Sequence, residues 1–405
     1  MIETIKAPHI LLPRKGVDMS KYAVVACDQY TSNLEYWDSL KKEIDSEVST
    51  YNMIYPEAYL ENTDNDSYIK NINNSIAHYL ENNDLIDIGE CFILVERVTS
   101  YGVRRLGLIL SVDLEDYSFE LGTNALIRAS EATIVERIPP RLKIRKDAPI
   151  ELPHILVLFD DPKKTIVEEL YAHRNELEKV YDFDLNKDGG HIRGYKVSDT
   201  NSVIKKFDEL FQGNNNGLLF IVGDGNHSLA TAKAHWELIK KDLSESEREN
   251  HPARFALVEA NNLYDAGIIF EPIHRVLFNV DKDFEKELQS VCSGAFTTYT
   301  YTKNSGKKEL KLPKNAPKAY LLVQSFLDMY LRLHKEAKID FIHDEEELLA
   351  VADKNPDSVA IHMPALTKED LFDYLASGTV LPRKSFSMGH ANEKRYYLEA
   401  KRIIN

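Results

Sequence analysis

The sequence is poor in cysteine, in positive charge and in long apolar runs. Its three cysteines, Cys27, Cys91 and Cys292, stand far apart in 405 residues. With no CxxC pair, a disulfide framework is excluded, and a reducing cytoplasm is the expected compartment. The longest apolar runs are about six residues, far short of the roughly 20 needed to span a bilayer, so no membrane association is expected. Glu3 and Pro8 interrupt the N-terminal stretch, so no secretory leader is expected either. Lysine and arginine number 50 against 65 acidic residues, a net charge of −15. That disfavours nucleic acid as a partner, because phosphate contacts need clustered cations. The chain also lacks a P-loop, a Rossmann GxGxxG, a HExxH zinc helix and a GxSxG elbow, and it shows no internal repeat.

What is present is an ordinary globular composition, 43% hydrophobic and 28% charged, long enough for two or three domains. Alternating strand and helix patterns set a mixed α/β (α+β) fold. The polar loop Gly213–Gly217 suggests a boundary, giving residues 1–215 and 216–405. Just after it, Leu218–Val222 reads as a strand. Gly223-Asp224-Gly225-Asn226-His227-Ser228 follows as a tight turn, and Leu229, Ala232, Trp236 and Ile239 then mark one helix face. Such a turn aims backbone N–H groups at a helix N-terminus, which favours an anion. It also concentrates a carboxylate, an amide, an imidazole and a hydroxyl. The plainer alternative is a helix cap with a structurally satisfied histidine.

Other stretches add chemistry. Tyr22–Cys27 reads as a strand ending at Asp28, before a helix with Leu34, Trp37 and Leu40; Ser32 and Glu35 have capping-box spacing. Residues 67–88 and 162–181 read as helices. Cys91–Thr99 and Arg104–Val112 read as a hairpin, and 154–160 as a strand. Arg254–Ala260 and Ala266–Phe270 read as strands joined by a turn at Asn261-Asn262. Asp184–Gly189 opens like a calcium loop, but Tyr195 stands where a bidentate Glu is required, so it is read as a polar turn between a helix and a strand. Residues 125–145 form a basic island: Arg128, Arg137, Arg141, Lys143 and Arg145 surround Glu131 and Thr133. This island either neutralises a phosphorylated ligand or is a solvated surface with an ion pair or two. Further cationic elements are His274-Arg275 and Lys384-Ser385. Asp224, Glu131, Asp28 and Glu35 are the candidate carboxylates for Mg²⁺ or for activating a hydroxyl.

In order along the chain, these stretches resemble the domain-of-unknown-function family 1015. Its hallmark Asp-Gly-His-His-Arg corresponds to Asp224-Gly225-Asn226-His227-Ser228. Ser130-Glu131-Ala-Thr133 and Arg141-Leu142 stand where the family has His-Glu-x-Thr and Asp-Arg-Leu. His274-Arg275 matches its His-Arg, and Gly378–Ser385 its Gly-x-x-x-Pro-x-Lys-Ser. Asn226, Ser228 and Ser130 depart from the pattern, leaving Asp224, Gly225, His227, Glu131, Thr133, Arg141 and Lys384 as the transferable set. The hallmark is similar to the phosphate-binding turn of the ParB/sulfiredoxin-like superfamily, which includes free-serine kinases. The resemblance implies a ParB/sulfiredoxin-like strand-turn-helix core elaborated with additional mixed sheet and helices. It also implies phosphoryl transfer or phosphohydrolysis on a small metabolite such as serine or phosphoserine, with ATP or ADP and Mg²⁺. Asp224, His227 and Glu131 are the implied catalytic set. Gly225, Asn226, Ser228, Thr133, Arg141, His274, Arg275, Lys384 and Ser385 are the implied phosphate-binding set, with no dedicated metal site. The alternative is a non-enzymatic, nucleotide-responsive binding protein of the ParB-like type.

Overall fold

Three strands show why the sheet forms where it does. Phe92 and Leu94 face one apolar core while Ile93 and Val95 face another; Leu108 and Leu110 oppose Ile109, and Ala256 and Val258 oppose Leu257, in the same way. Side chains alternate across a strand, so a run that is apolar at every position is a strand buried on both faces. The computed structural model describes residues 3–60, 64–214 and 217–404, and the fold is mixed α/β. The chain divides into two compact units. Unit 1 comprises Met1–Ala129, Thr133–Ile268 and His390–Asn405; unit 2 comprises Ser130–Ala132 and Ile269–Gly389.

Unit 1 holds a ten-stranded mixed sheet. Its order runs Glu178–Leu185, Gly190–Val197, Phe92–Val98, Arg104–Asp113, Phe255–Asn262, Leu156–Phe159, Phe220–Asp224, Ile127–Ala129 and Tyr117–Ser118, with Ile5–Lys6 also on Arg104–Asp113. Phe220–Asp224 lies antiparallel to Leu156–Phe159, in a register that pairs Asp224 with Leu156, and parallel to Ile127–Ala129. The loop before it lies partly outside the described residues, which omit 215 and 216. These pairings put the strand inside unit 1, so the boundary expected at 215/216 does not coincide with the division of the chain. Helix Asn226–Ile239 follows, with Leu229, Ala232 and Trp236 in the core beneath it.

Several expected elements change character. The helix expected over 162–181 is one short helix, Val167–Ala172, a 3-10 turn at Arg174–Glu176 and the strand Glu178–Leu185. Hairpin pairing with Gly190–Val197 overrides the helical spacing. Asp184–Gly189 therefore belongs to the turn between two strands, with Lys187 and Asp188 in the left-handed region. The helix expected to reach residue 88 runs Asn65–Glu81, and Leu85–Glu90 is a strand paired with His9–Pro13. Asn83, at φ 56°, turns the chain between them. Asn261 and Asn262 are not a turn but the buried end of Phe255–Asn262. Their amide N–H groups donate to the carbonyls of Leu106 and Asp161 at 2.8 and 2.9 Å, so these buried donors are met inside the sheet. The next strand is Phe270–Pro272.

Unit 2 is built on a five-stranded antiparallel sheet ordered Gly306–Leu312, Phe296–Thr302, Ser358–Ile361, His274–Phe278 and Lys338–Ile342. Helices Ala316–Leu333, Glu345–Lys354 and Lys368–Ala376 accompany it. Asp344 caps helix Glu345–Lys354, its carboxylate accepting from the Glu346 and Glu347 N–H groups. Gly378, at φ 81°, follows the last of these helices. Among the described residues no helix is long and apolar enough to cross a membrane.

Candidate functional site

The turn after Phe220–Asp224 is shaped by Gly225. Its φ is 81°, and a Cβ there would stand 3.0 Å from Ile155 Cα and 3.1 Å from Ile155 Cγ1. Both the left-handed angle and the close neighbouring backbone call for glycine. Gly225 caps helix Asn226–Ile239 without a side-chain bond. Its carbonyl accepts from the Ser228 and Leu229 N–H groups at 3.0 Å each.

Polar side chains of unit 1 gather around this turn. Asp224 Oδ1 accepts from the Gly225 N–H at 2.9 Å, and its Oδ2 lies 3.2 Å from Lys394 Nζ. His227 Nε2 accepts from the Ile134 N–H at 3.2 Å, so neutral His227 carries its proton on Nδ1. Beside Ile134, Thr133 Oγ1 is buried and without a hydrogen-bond partner among the described residues. Ser228 Oγ lies 3.0 Å from His154 Nε2, and Asp28 Oδ2 lies 3.9 Å from the same nitrogen. Tyr397 Oη lies 3.0 Å from His154 Nδ1.

Electrostatics bind these groups together. Burial raises the pKa of Asp28, but the His154 imidazole, a bond from Gln29 and the charges of Lys394 and Arg141 outweigh it, and the carboxyl titrates below its ordinary value. Burial, and then the Asp28 charge, push the Cys27 thiol up to about 12. Burial and the neighbouring Cys27 and Asp28 hold the Tyr397 hydroxyl well above its usual range. Among the described residues, no group of three or more His, Cys, Asp or Glu side chains is arranged to hold a metal ion.

Three cations of the basic island have carboxylate partners. Arg141 pairs with Glu57 and Lys143 with Asp66, while Arg145 Nη2 meets Glu151 Oε2 at 2.5 Å. The charge of Arg141 is also felt at Asp28 and Cys27, where it favours the ionised forms. Helix Ile138–Arg145 carries all three.

Glu131, His274, Arg275, Lys384 and Ser385 lie in unit 2, whereas Asn226 and Glu35 lie in unit 1. Glu131 accepts from the backbone N–H groups of Lys384 and Ser385 at 3.2 and 3.0 Å. Burial raises its carboxyl above the usual range, partly offset by those two bonds. Arg275 is fully buried, and its Nη1 donates to the Lys384 carbonyl at 3.0 Å. Ser385 Oγ donates to the Pro382 carbonyl at 2.6 Å. His274 accepts from the Met363 N–H at 3.0 Å and stacks on His362 with ring centres 4.5 Å apart. Burial, then His362, lowers its pKa to about 4, so it is neutral at pH 7.

Sequence reasoning did not single out His154, Lys394 or Tyr397. His154 stands just ahead of strand Leu156–Phe159, which pairs with the turn's own strand. That adjacency is the signal a strand-pairing argument would have used. Lys394 and Tyr397 reach the turn from a segment about 170 residues downstream of Asp224, and local pattern carries no trace of that.

A mixed α/β protein with a polar, cation-flanked strand–turn–helix is the class these features define. The chain belongs to the family described as "Protein of unknown function (DUF1015)", whose sequence model matches residues 11–402. A comparison with curated protein sequences finds no match. Among solved structures, a conserved hypothetical protein from Pyrococcus furiosus is 12% identical, with a TM-score of 0.33 over 72% of this chain and 90% of that one. A free serine kinase in complex with AMP is 10% identical, with a TM-score of 0.38 over 73% of this chain and 92% of that one. SbnI from Staphylococcus aureus, with a C-terminal truncation, is 11% identical, with a TM-score of 0.37 over 69% of this chain and 81% of that one.

Proposed function

We propose that this protein binds a phosphorylated small molecule at the Asp224–Ser228 turn and transfers its phosphoryl group to a small hydroxy metabolite, with serine as the first acceptor to test. The observation that carries the reading is the pairing of Lys394 with Asp224 at the N-terminal end of helix Asn226–Ile239. The positive end of the helix and an ammonium group there share one small region, as an anion requires. Arg141 and His227 are the further phosphate contacts in this reading, and Gly225 lets the backbone approach. A nucleotide, ATP or ADP, is the proposed donor. Mg²⁺ arriving with it would neutralise phosphate oxygens. Ions of this kind need only one or two protein carboxylates beside the phosphates, and Asp224 and Asp28 are the two this site offers. Phosphoryl transfer depends mainly on positioning and on neutralising charge, and the groups around the turn are suited to both.

The test is direct. The purified full chain is incubated with serine and ATP or ADP, and separately with phosphoserine, and products are read by phosphorus NMR. Formation of phosphoserine, or its hydrolysis, is the expected result, with loss of at least tenfold in Asp224→Ala and His227→Ala. No turnover, together with no thermal shift from ATP, ADP or phosphoserine, sinks the reading.

A further inference from the structure

Ser228 and His154 form a pair that phosphate binding alone does not use. The hydroxyl of Ser228 does not cap its helix; the capping residue is Gly225. Instead Ser228 Oγ meets His154 Nε2 at 3.0 Å. The other face of the imidazole is held from behind. Tyr397 Oη donates to Cys27 Sγ at 2.9 Å and accepts from the Cys27 N–H at 3.1 Å. Its remaining lone pair faces His154 Nδ1 at 3.0 Å, so the shared proton sits on the imidazole. With Nδ1 protonated, Nε2 presents its lone pair to Ser228. Neither Cys27, with its thiol pushed up to about 12, nor Tyr397 gives up a proton near neutrality. His154 and Tyr397 are buried, whereas Ser228 is half-buried.

Resting on the proposed phosphoryl transfer, we infer that Ser228 is a nucleophile, that His154 is its base, and that the phosphoryl group passes through a phosphoserine at position 228. A nucleophile and a base within hydrogen-bond reach, with a third group orienting the base, is the arrangement covalent catalysis needs. In the first half-reaction Ser228 Oγ bonds to the terminal phosphorus of the nucleotide. The bridging P–O bond breaks, and the departing nucleotide keeps the electron pair. The Ser228 proton moves to His154 Nε2, and the imidazolium so formed lies 3.9 Å from the Asp28 carboxylate. In the second half-reaction the acceptor hydroxyl oxygen attacks the same phosphorus and the Oγ–P bond breaks. His154 returns its proton to Ser228 Oγ. The acceptor's proton passes through the same imidazole to water, one per turnover. Tyr397 is a positioning residue that keeps the proton on Nδ1.

The experiment mixes the full chain with ATP labelled in its γ-phosphate, and separately with ADP labelled in its β-phosphate, without acceptor. The mixture is quenched in acid, and the digest is sequenced by mass spectrometry. Label on Ser228, released by a serine chase, is expected. His154→Asn should slow labelling by about 100-fold, within the range for losing a general base, while keeping the thermal shift with ATP. Phosphoserine product formed in a single turnover without label on Ser228 overturns the covalent route and leaves the proposed function standing. Absence of any thermal shift with ATP or ADP removes the binding reading and this inference with it. The wild-type labelling decides the question even if the His154 variant fails to fold.

Discussion

Lys394 Nζ lies 3.2 Å from Asp224 Oδ2, joining the His390–Asn405 segment of unit 1 to the turn after strand Phe220–Asp224. The pair is partly buried, with side-chain exposures of 11% and 23%, so the lysine acts with less screening than a surface charge. Lys394→Met should weaken ADP binding by about 10- to 100-fold, the loss of one charge-assisted bond. Calorimetric titration reads it. An unchanged affinity would detach Lys394 from the ligand and leave it a structural partner of Asp224.

The Gly225 turn makes a stability prediction with an internal control. Gly225→Ala imposes a left-handed angle on a residue with a Cβ and presses that Cβ against Ile155. Gly16 also has a positive φ, 94°, but nothing lies within 4 Å of its added Cβ. Gly16→Ala should cost about 1–2 kcal/mol, the left-handed penalty alone. Gly225→Ala should cost more. Urea midpoints compare them, and equal losses would mean that Ile155 relaxes freely.

Acid should loosen the fold through its buried histidines. Burial, then Arg145, lowers the pKa of His235 to about 4, and burial, then His362, does the same for His274. A folded pKa below the unfolded value of about 6.5 means the unfolded chain binds more protons between those two values. Stability therefore rises with pH across that window and is lost as pH falls from about 6.5 towards about 4, by up to about 3 kcal/mol per histidine. His274→Gln should flatten the pH dependence of chemical unfolding. A slope unchanged in that variant would assign the acid sensitivity elsewhere.

Tyr397→Phe removes the acceptor for the Cys27 N–H and the partner of His154 Nδ1. A buried donor left unmet costs about 1–3 kcal/mol. The loss should appear in the urea midpoint, and no loss would show that water replaces the hydroxyl.

Most of the fold's local grammar was readable. The hairpin Phe92–Val98 and Arg104–Asp113 and the strand–turn–helix around Asp224 follow from periodicity and turn residues. The strand Glu178–Leu185 was not readable, because its identity comes from a partner strand rather than from its own spacing. The same division applies to the site. Asp224, Gly225, His227 and Ser228 lie in one visible stretch, whereas the strand expected to end at Asp28 shortens to Val24–Val25, with Tyr22 ending a helix and Asp28 in a turn. His154, Lys394 and Tyr397 arrive through sheet pairing and chain return, which one-dimensional pattern does not encode. Glu131 looked like a candidate carboxylate, and His274-Arg275 and Lys384-Ser385 like loose cationic elements, yet in unit 2 they are tied to one another and to the backbone.

Unit 1 is interrupted in sequence by unit 2 and resumes at His390. A ribosome therefore delivers the sheet, the Asp224 turn and His154 long before it delivers Lys394 and Tyr397. Until Lys394 emerges the Asp224 carboxylate has no ammonium beside it, and until Tyr397 emerges the imidazole has no hydroxyl behind it. In the proposed reading, competence at the turn waits on translation past unit 2, and a product stalled anywhere in unit 2 would carry the visible motif without Lys394 and Tyr397.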